Sequence, residues 1–201
     1  MGVVHQHLRN FLSIYSGYDL MILSDRALKS LINSGKLLID PIYEDSIRGN
    51  GIDMRIGPEI AFPVVRGEVI DPVNSDPQDH FSIREIPDEG IIIPGNTSIL
   101  LVTEERVKMP DDVAALCGLR SSIARWGFIA APTLIDAGFE GQLTIEVMWT
   151  RPAPVRLYKG VRFLHVVFFK VEGEVEKPYT GVYQGQRGVT LPKKLERPVY
   201  Y

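Results

Sequence analysis

One cysteine, Cys117, is all that the 201 residues contain. A disulfide framework within the chain is therefore excluded, which fits a reducing, cytoplasmic setting. The four histidines, His5, His7, His80 and His165, are scattered, and neither C-x-x-C nor H-x-E occurs, so no recognisable zinc site is written in the chain. No apolar run approaches a membrane span, and residues 1–20 do not read as a signal peptide, because "FLSIYSGYDL" is broken by Ser, Gly and Asp. Charge of one sign is also lacking. A net charge of −3 leaves no broad basic face for nucleic acid or for an anionic membrane. A small anion is not excluded, since a local cluster of donors suffices to bind one.

What the chain does contain is ordinary globular composition, 45% hydrophobic and 23% charged, enough for one good core. Its 14 prolines and 18 glycines fall largely between short apolar runs, a pattern of many short strands and turns. Met21 opens "MILSDRALKSLI", which reads like a natural start, so residues 1–20 are expected to be an N-terminal extension, the product of an upstream start codon chosen in error, or an ordinary arm that packs on a neighbour. One short helix is expected after it: Ser24 as cap, Asp25 in the first turn, a stripe of Ala27, Leu28, Leu31 and Ile32, and Gly35 as the stop. "KLLIDPIY" is extended up to Pro41. "GIDMRIGPEIAFPVV" alternates at Ile52, Met54 and Ile56, turns at Gly57-Pro58, and continues as an apolar strand. Residues 67–90 read as a polar surface excursion. Further strands follow in "GIIIPGNTSILLVTEERVKMP", "DDVAALCGL", "FIAAPTLID", "GQLTIEVMW", "APVRLY" and "VRFLHVVFFKVEG", with one helical turn at "RSSIARWG". The organisation expected is one mainly-β domain over residues 21–178, a barrel or sandwich, and a C-terminal tail over 179–201 with little apolar periodicity.

Two clusters carry candidate chemistry. In "GLRSSIARWG", Arg120, Ser121 and Ser122 offer a guanidinium, two hydroxyls and backbone N–H groups at the start of a helical turn, which is a usable phosphate cradle. The plainer reading is a simple helix cap. In "LIDAGFEGQLTIE", Asp136 precedes a glycine turn and Glu146 sits in mid-strand, where glutamate is disfavoured. Asp in such a turn usually caps its own backbone, and a strand Glu usually faces water. Taken together, the two clusters look like one site built from adjacent strands.

"LRSSIAR", "LIDAGFEGQLTIE" and "VYQGQRG" resemble the signature blocks of the dCTP deaminase and dUTPase superfamily, and "ILSDRALKSLINSGKLLIDP" and "GNGIDMRIG" resemble its dCTP deaminase branch, in an archaeal-like form. The resemblance runs from Met21 to about Leu191. It implies a distorted, dUTPase-like β-barrel with one or two short helices, a homotrimer with sites between subunits, and Mg²⁺ carried in by the nucleotide, without zinc. That last point matters because many nucleobase deaminases activate water on zinc. It also implies roles. Arg120, Ser121 and Ser122 hold phosphates, with Ser121 near the catalytic water and Ile123 and Ala124 completing the segment's substrate contacts. Arg125 orients the catalytic carboxylate. Asp136 bonds the deoxyribose 3′-hydroxyl, Thr144 and Ile145 contact the base, and Tyr179 and Gln186 close over sugar and phosphates as a lid. Glu146 is the general acid/base, where partial shielding from water would tune a carboxylate upward to accept and donate a proton, and Arg125 would oppose that rise.

The sequence departs from the family pattern in places. "RWGFIAAPTLID" is slightly shorter than in bacterial dCTP deaminases and lacks their histidine. His165 stands where a glutamine is usual, either as part of the site or as a satisfied strand histidine. Val182 falls where a phosphate-contacting lysine is usual, with Arg187 nearby. The leading expectation is hydrolysis of dCTP to dUTP and ammonia, as a step in making dUMP and dTTP precursors. The alternatives are a bifunctional enzyme that continues to dUMP and diphosphate, a pure dUTPase, and a non-catalytic nucleotide-binding trimer. No nucleic-acid or membrane partner is expected.

Overall fold

The computed structural model describes residues 21–64, 67 and 69–197; the expected extension at 1–20 lies outside the described residues. Ser24 caps α1 (Asp25–Asn33), its hydroxyl accepting from Ala27 N–H at 3.4 Å. The apolar stripe of this helix buries Leu28 completely. The chain then enters β1 (Leu38–Asp40), β2 (Ile47–Arg48) and β3 (Gly51–Pro63).

β3 differs from its sequence reading. It runs straight through Gly57-Pro58 with a register irregularity between Ile56 and Ile60, rather than turning there. The glycine serves a close approach: a Cβ on Gly57 would lie 2.8 Å from the carbonyl oxygen of Thr103 on the neighbouring strand. Residues 51–57 are all buried, so β3 is covered on both faces and its alternation separates two interiors rather than core from water.

The excursion over 67–90 is also more ordered than expected. It contains α2 (Pro77–His80) and β4 (Phe81–Glu85), which pairs with β3. Asp76 caps α2 by accepting from Gln78 N–H at 3.0 Å, and Pro77 follows the cap. A proline-spaced polar run here is a helix start rather than a loop, and it brings the helices to three among the described residues.

The remaining elements are β5 (Ile91–Ile93), β6 (Thr97–Lys108), β7 (Val113–Leu119), α3 (Ser121–Trp126), β8 (Phe128–Ala130), β9 (Thr133–Ile135), β10 (Glu140–Trp149), β11 (Val155–Leu157) and β12 (Arg162–Lys170). One curled, half-barrel sheet runs β8-β10-β6-β3-β12-β7-β9, with β1 on β6 and with β2 and β4 on β3; β5 and β11 form a separate pair. Every pairing is antiparallel. Inside the curl sit Ile52, Met54, Ile60, Ile99, Val107, Ala115, Val166 and Phe168, none more than 1% exposed. The mainly-β, barrel-like architecture is the one the strand pattern called for. No helix among the described residues is long and apolar enough to cross a membrane.

Candidate active site

β10 sets the site. Leu143, Ile145 and Val147 are buried, Gln142 and Thr144 are half-buried, and Glu146 is exposed. Period-two geometry therefore sends Glu146 to the face opposite the core. A register shift between Gln142 and Thr144 bends the strand against β6, after which Glu146 pairs with Leu100. Asp136 follows β9, where its carbonyl accepts from Phe139 N–H at 3.1 Å to close a turn.

Between β9 and β10 opens a cavity of about 380 Å³. Six of the expected site residues line it: Asp136, Thr144, Ile145, Glu146, Tyr179 and Gln186. Leu134, Ile135, Phe139 and Leu143 make the wall apolar, and Tyr179 packs edge-on to Phe139 with ring centroids 5.7 Å apart. Such a mixture, an apolar slot with a few polar groups at fixed points, suits a planar heterocycle with a sugar attached. Cys117 also lines the cavity. Burial pushes its thiol up to about 12, so at neutral pH it is a protonated wall and not a nucleophile.

The tail folds back over the mouth of this cavity. Gln186 donates its side-chain amide to the carbonyl of Gln142 at 2.6 Å, and Gln142 N–H returns a bond to the Gln186 carbonyl at 3.0 Å. Gly188 N–H reaches Gln142 Oε1 at 2.9 Å, and Thr190 N–H reaches Thr144 Oγ1 at 3.1 Å. Val189 is buried in a small apolar cluster with Ala61, Leu100 and Val102. The weak apolar pattern of the tail hid this anchor. A valine among polar residues has no period, yet here it is buried, with Leu191 packed against the same cluster.

The other half of the expected site lies elsewhere. None of Arg120, Ser121, Ser122, Ile123, Ala124, Arg125 or His165 lines the cavity. Arg120 is the N-cap residue of α3, and no side chain caps this helix. Ser121, Ser122, Ala124 and Arg125 are exposed, while Ile123 is half-buried against the core. Arg120 and His165 meet at a residue the sequence reading passed over. Asp53, on β3 and 2% exposed, lies 3.1 Å from Arg120 Nε and 2.9 Å from His165 Nδ1. The available signal was its position, an acid inside the apolar run "GIDMRIG". The same run holds Arg55, whose backbone N–H donates to the fully buried Glu105 at 2.8 Å. Burial pushes the Glu105 carboxyl above its ordinary range, and bonds from Arg55 and from backbone partly offset the rise.

Residues 22–171 match a family model described as dCTP deaminase-like. The chain belongs to the dCTP deaminase-like family. It is 80% identical over 177 residues to the dCTP deaminase of Korarchaeum cryptofilum, an overlap of 88% of this chain and 100% of that protein. With the dCTP deaminase of Pyrobaculum aerophilum it shares 48% over 176 residues, 88% of this chain and 98% of the other. Among solved structures, the crystal structure of 2′-deoxycytidine 5′-triphosphate deaminase from Agrobacterium tumefaciens superposes with a TM-score of 0.60 at 20% identity, covering 77% of this chain and 49% of that one. That likeness fixes a common fold for the dCTP deaminase-like domain, which spans about half of the larger chain.

Proposed function

We propose that the protein deaminates dCTP to dUTP and ammonia, with Glu146 as the group that moves the protons. The observation that carries the reading is the placement of the Glu146 carboxylate on the wall of a largely apolar cavity together with Asp136 and Thr144, in a chain 80% identical to a dCTP deaminase. Water adds across C4 and N3 of cytosine: its oxygen bonds C4 while Glu146 takes a proton and passes it to N3. Glu146 then carries the hydroxyl proton at C4 to the amino nitrogen, the C4–N bond breaks, ammonia leaves, and C4 becomes the carbonyl of uracil. Asp136 holds the deoxyribose, Thr144 and Ile145 meet the base, and Tyr179 and Gln186 cover sugar and phosphates.

In this reading magnesium is carried in on the phosphates of the substrate. Arg120, Ser121, Ser122 and Arg125 do not line the cavity of their own chain. In the reading proposed here they serve the cavity of a neighbouring subunit, in a homotrimer that also shields Glu146. Its support is exposed apolar surface near those residues. Leu116 and Leu134, paired across β7 and β9, are 45% and 53% exposed, and Ile129 and Met148, paired across β8 and β10, are 61% and 43% exposed. Trp126 on α3 is 66% exposed. Apolar pairs of this kind mark a surface that a partner covers.

The test is incubation with dCTP and Mg²⁺, with products resolved by ion exchange. The expected product is dUTP with one equivalent of ammonia. dUMP and diphosphate appearing with the ammonia would make the enzyme bifunctional, and brisk dUTP hydrolysis without any ammonia would replace the reading with a dUTPase.

A further inference from the structure

Four basic side chains converge on the buried carboxylate of Asp53. Arg48 Nε and Arg120 Nε lie 3.0 Å and 3.1 Å from Oδ2, Arg162 Nη1 lies 3.5 Å from the same oxygen, and His165 Nδ1 lies 2.9 Å from Oδ1. They arrive from separate parts of the chain: the end of β2, the residue after β7, and the start and middle of β12. Backbone geometry builds the cluster tightly. Arg48 pairs with Gly51 in the β2–β3 hairpin, and a Cβ on Gly51 would lie 2.7 Å from His165 Nε2 and 2.5 Å from the Val166 carbonyl oxygen. The imidazole thus lies over bare backbone, with its Nδ1 turned to Asp53.

The charges do not balance. Three guanidinium groups, which stay protonated, face one buried carboxylate. Asp45 offers a second, 3.4 Å from Arg162 Nη1, but it is also bonded to Arg55 at 2.5 Å. The surplus is positive, and it reaches the surface: the side chains of Arg48, Arg120 and Arg162 are 41%, 27% and 26% exposed, against 3% for Asp53. Arg48 is held through Nε alone, and Arg120 through Nε and a bond from Nη1 to the Arg162 carbonyl at 3.2 Å. A guanidinium gripped at Nε has its plane fixed while Nη donors remain for another partner. A planar fork fixed in advance loses little freedom on binding a phosphate.

We propose that Asp53 is a positioning residue for polyphosphate binding, fixing Arg120 together with Arg48 and Arg162, which join it in receiving the phosphates of the substrate. This rests on the reading that the substrate is a nucleoside triphosphate. Asp53 itself lies beneath the guanidinium layer and does not touch the anion.

The test uses calorimetry with inorganic tripolyphosphate, alongside steady-state kinetics with Mg²⁺-dCTP, on the full-length protein and on Arg48→Gln, Arg48→Lys and Asp53→Asn. Arg48→Gln is expected to weaken tripolyphosphate binding and raise the dCTP KM by about tenfold, the scale of a lost charge-assisted hydrogen bond, with kcat little changed and a shallower dependence on salt. Arg48→Lys restores charge without the Nε grip and is expected to recover only part of the affinity. Asp53→Asn is expected to weaken binding too, although it makes the cluster more positive. Tighter tripolyphosphate binding by Asp53→Asn would show that Asp53 only neutralises charge, and would overturn the positioning role. Should Asp53→Asn fail to fold, the Arg48 pair decides, and unchanged affinity in both Arg48 variants sinks the proposal. A wild type that binds tripolyphosphate in this way but releases no ammonia from dCTP would leave the cluster standing and remove the deaminase reading instead.

Discussion

Asp136 and Glu146 line one cavity but are expected to fail differently when altered. Asp136→Asn keeps the shape and loses the charged acceptor for a sugar hydroxyl. Steady-state kinetics with dCTP should therefore show KM raised and kcat lowered together, because a misplaced sugar misplaces C4 as well. An effect on KM alone would confine Asp136 to binding. Glu105 offers a test of a different kind, since it is fully buried and its carboxyl is held above the ordinary value of 4.5 by burial. A raised folded pKa means that the folded state binds more protons than the unfolded one. Its stabilising contribution is complete below the unfolded pKa and is lost as pH rises through the folded one. Urea unfolding of wild type and Glu105→Gln from pH 4.5 upward should thus show the wild type gaining relative stability as pH falls. A pH-independent difference would mean that Arg55 cancels the burial effect.

The elements show where reading the sequence worked and where it stopped. α1 was legible to its cap because Ser24, the apolar stripe and Gly35 are all local signals. The alternation of β10, with Glu146 on the face opposite Leu143, Ile145 and Val147, was legible for the same reason. Gly57-Pro58 misled because the glycine answers to Thr103 on another strand, a contact between residues far apart in sequence. Asp53 was missed because its partners lie on β2, after β7 and on β12, and only the folded sheet gathers them. In the tail, Gln186 was legible as a polar contact, but its bond to Gln142 and the burial of Val189 depend on the bend in β10. Truncation after Tyr179 removes these contacts together with one wall of the cavity. Since Val189 belongs to a small cluster apart from the main core, the truncated protein should still fold, with a raised nucleotide KM and lower turnover. Unchanged kinetics would make the tail idle.

At the scale of the whole molecule, only one half of the expected site lines the cavity of its own chain, and exposed apolar pairs lie on β7–β9 and β8–β10. A homotrimer that joins the cavity of one subunit to α3 of the next accounts for this arrangement. Sedimentation should find the trimer at micromolar concentration. Mixing Glu146→Gln with Arg120→Ala subunits should restore part of the activity that each lacks alone, because some interfaces then carry both intact halves. A fully active monomer would refute the shared site.

The proton-moving role of Glu146 is the center of the account, and ammonia release from dCTP by Glu146→Gln measures it most directly, with nucleotide binding followed by calorimetry in the same samples. Glutamine keeps the shape and cannot take a proton from water. General acid–base catalysis is commonly worth about 10²–10⁴-fold, and one residue here performs both transfers, so the expected result is a fall in deamination of at least that size with binding preserved. Near-normal ammonia release by Glu146→Gln would contradict it.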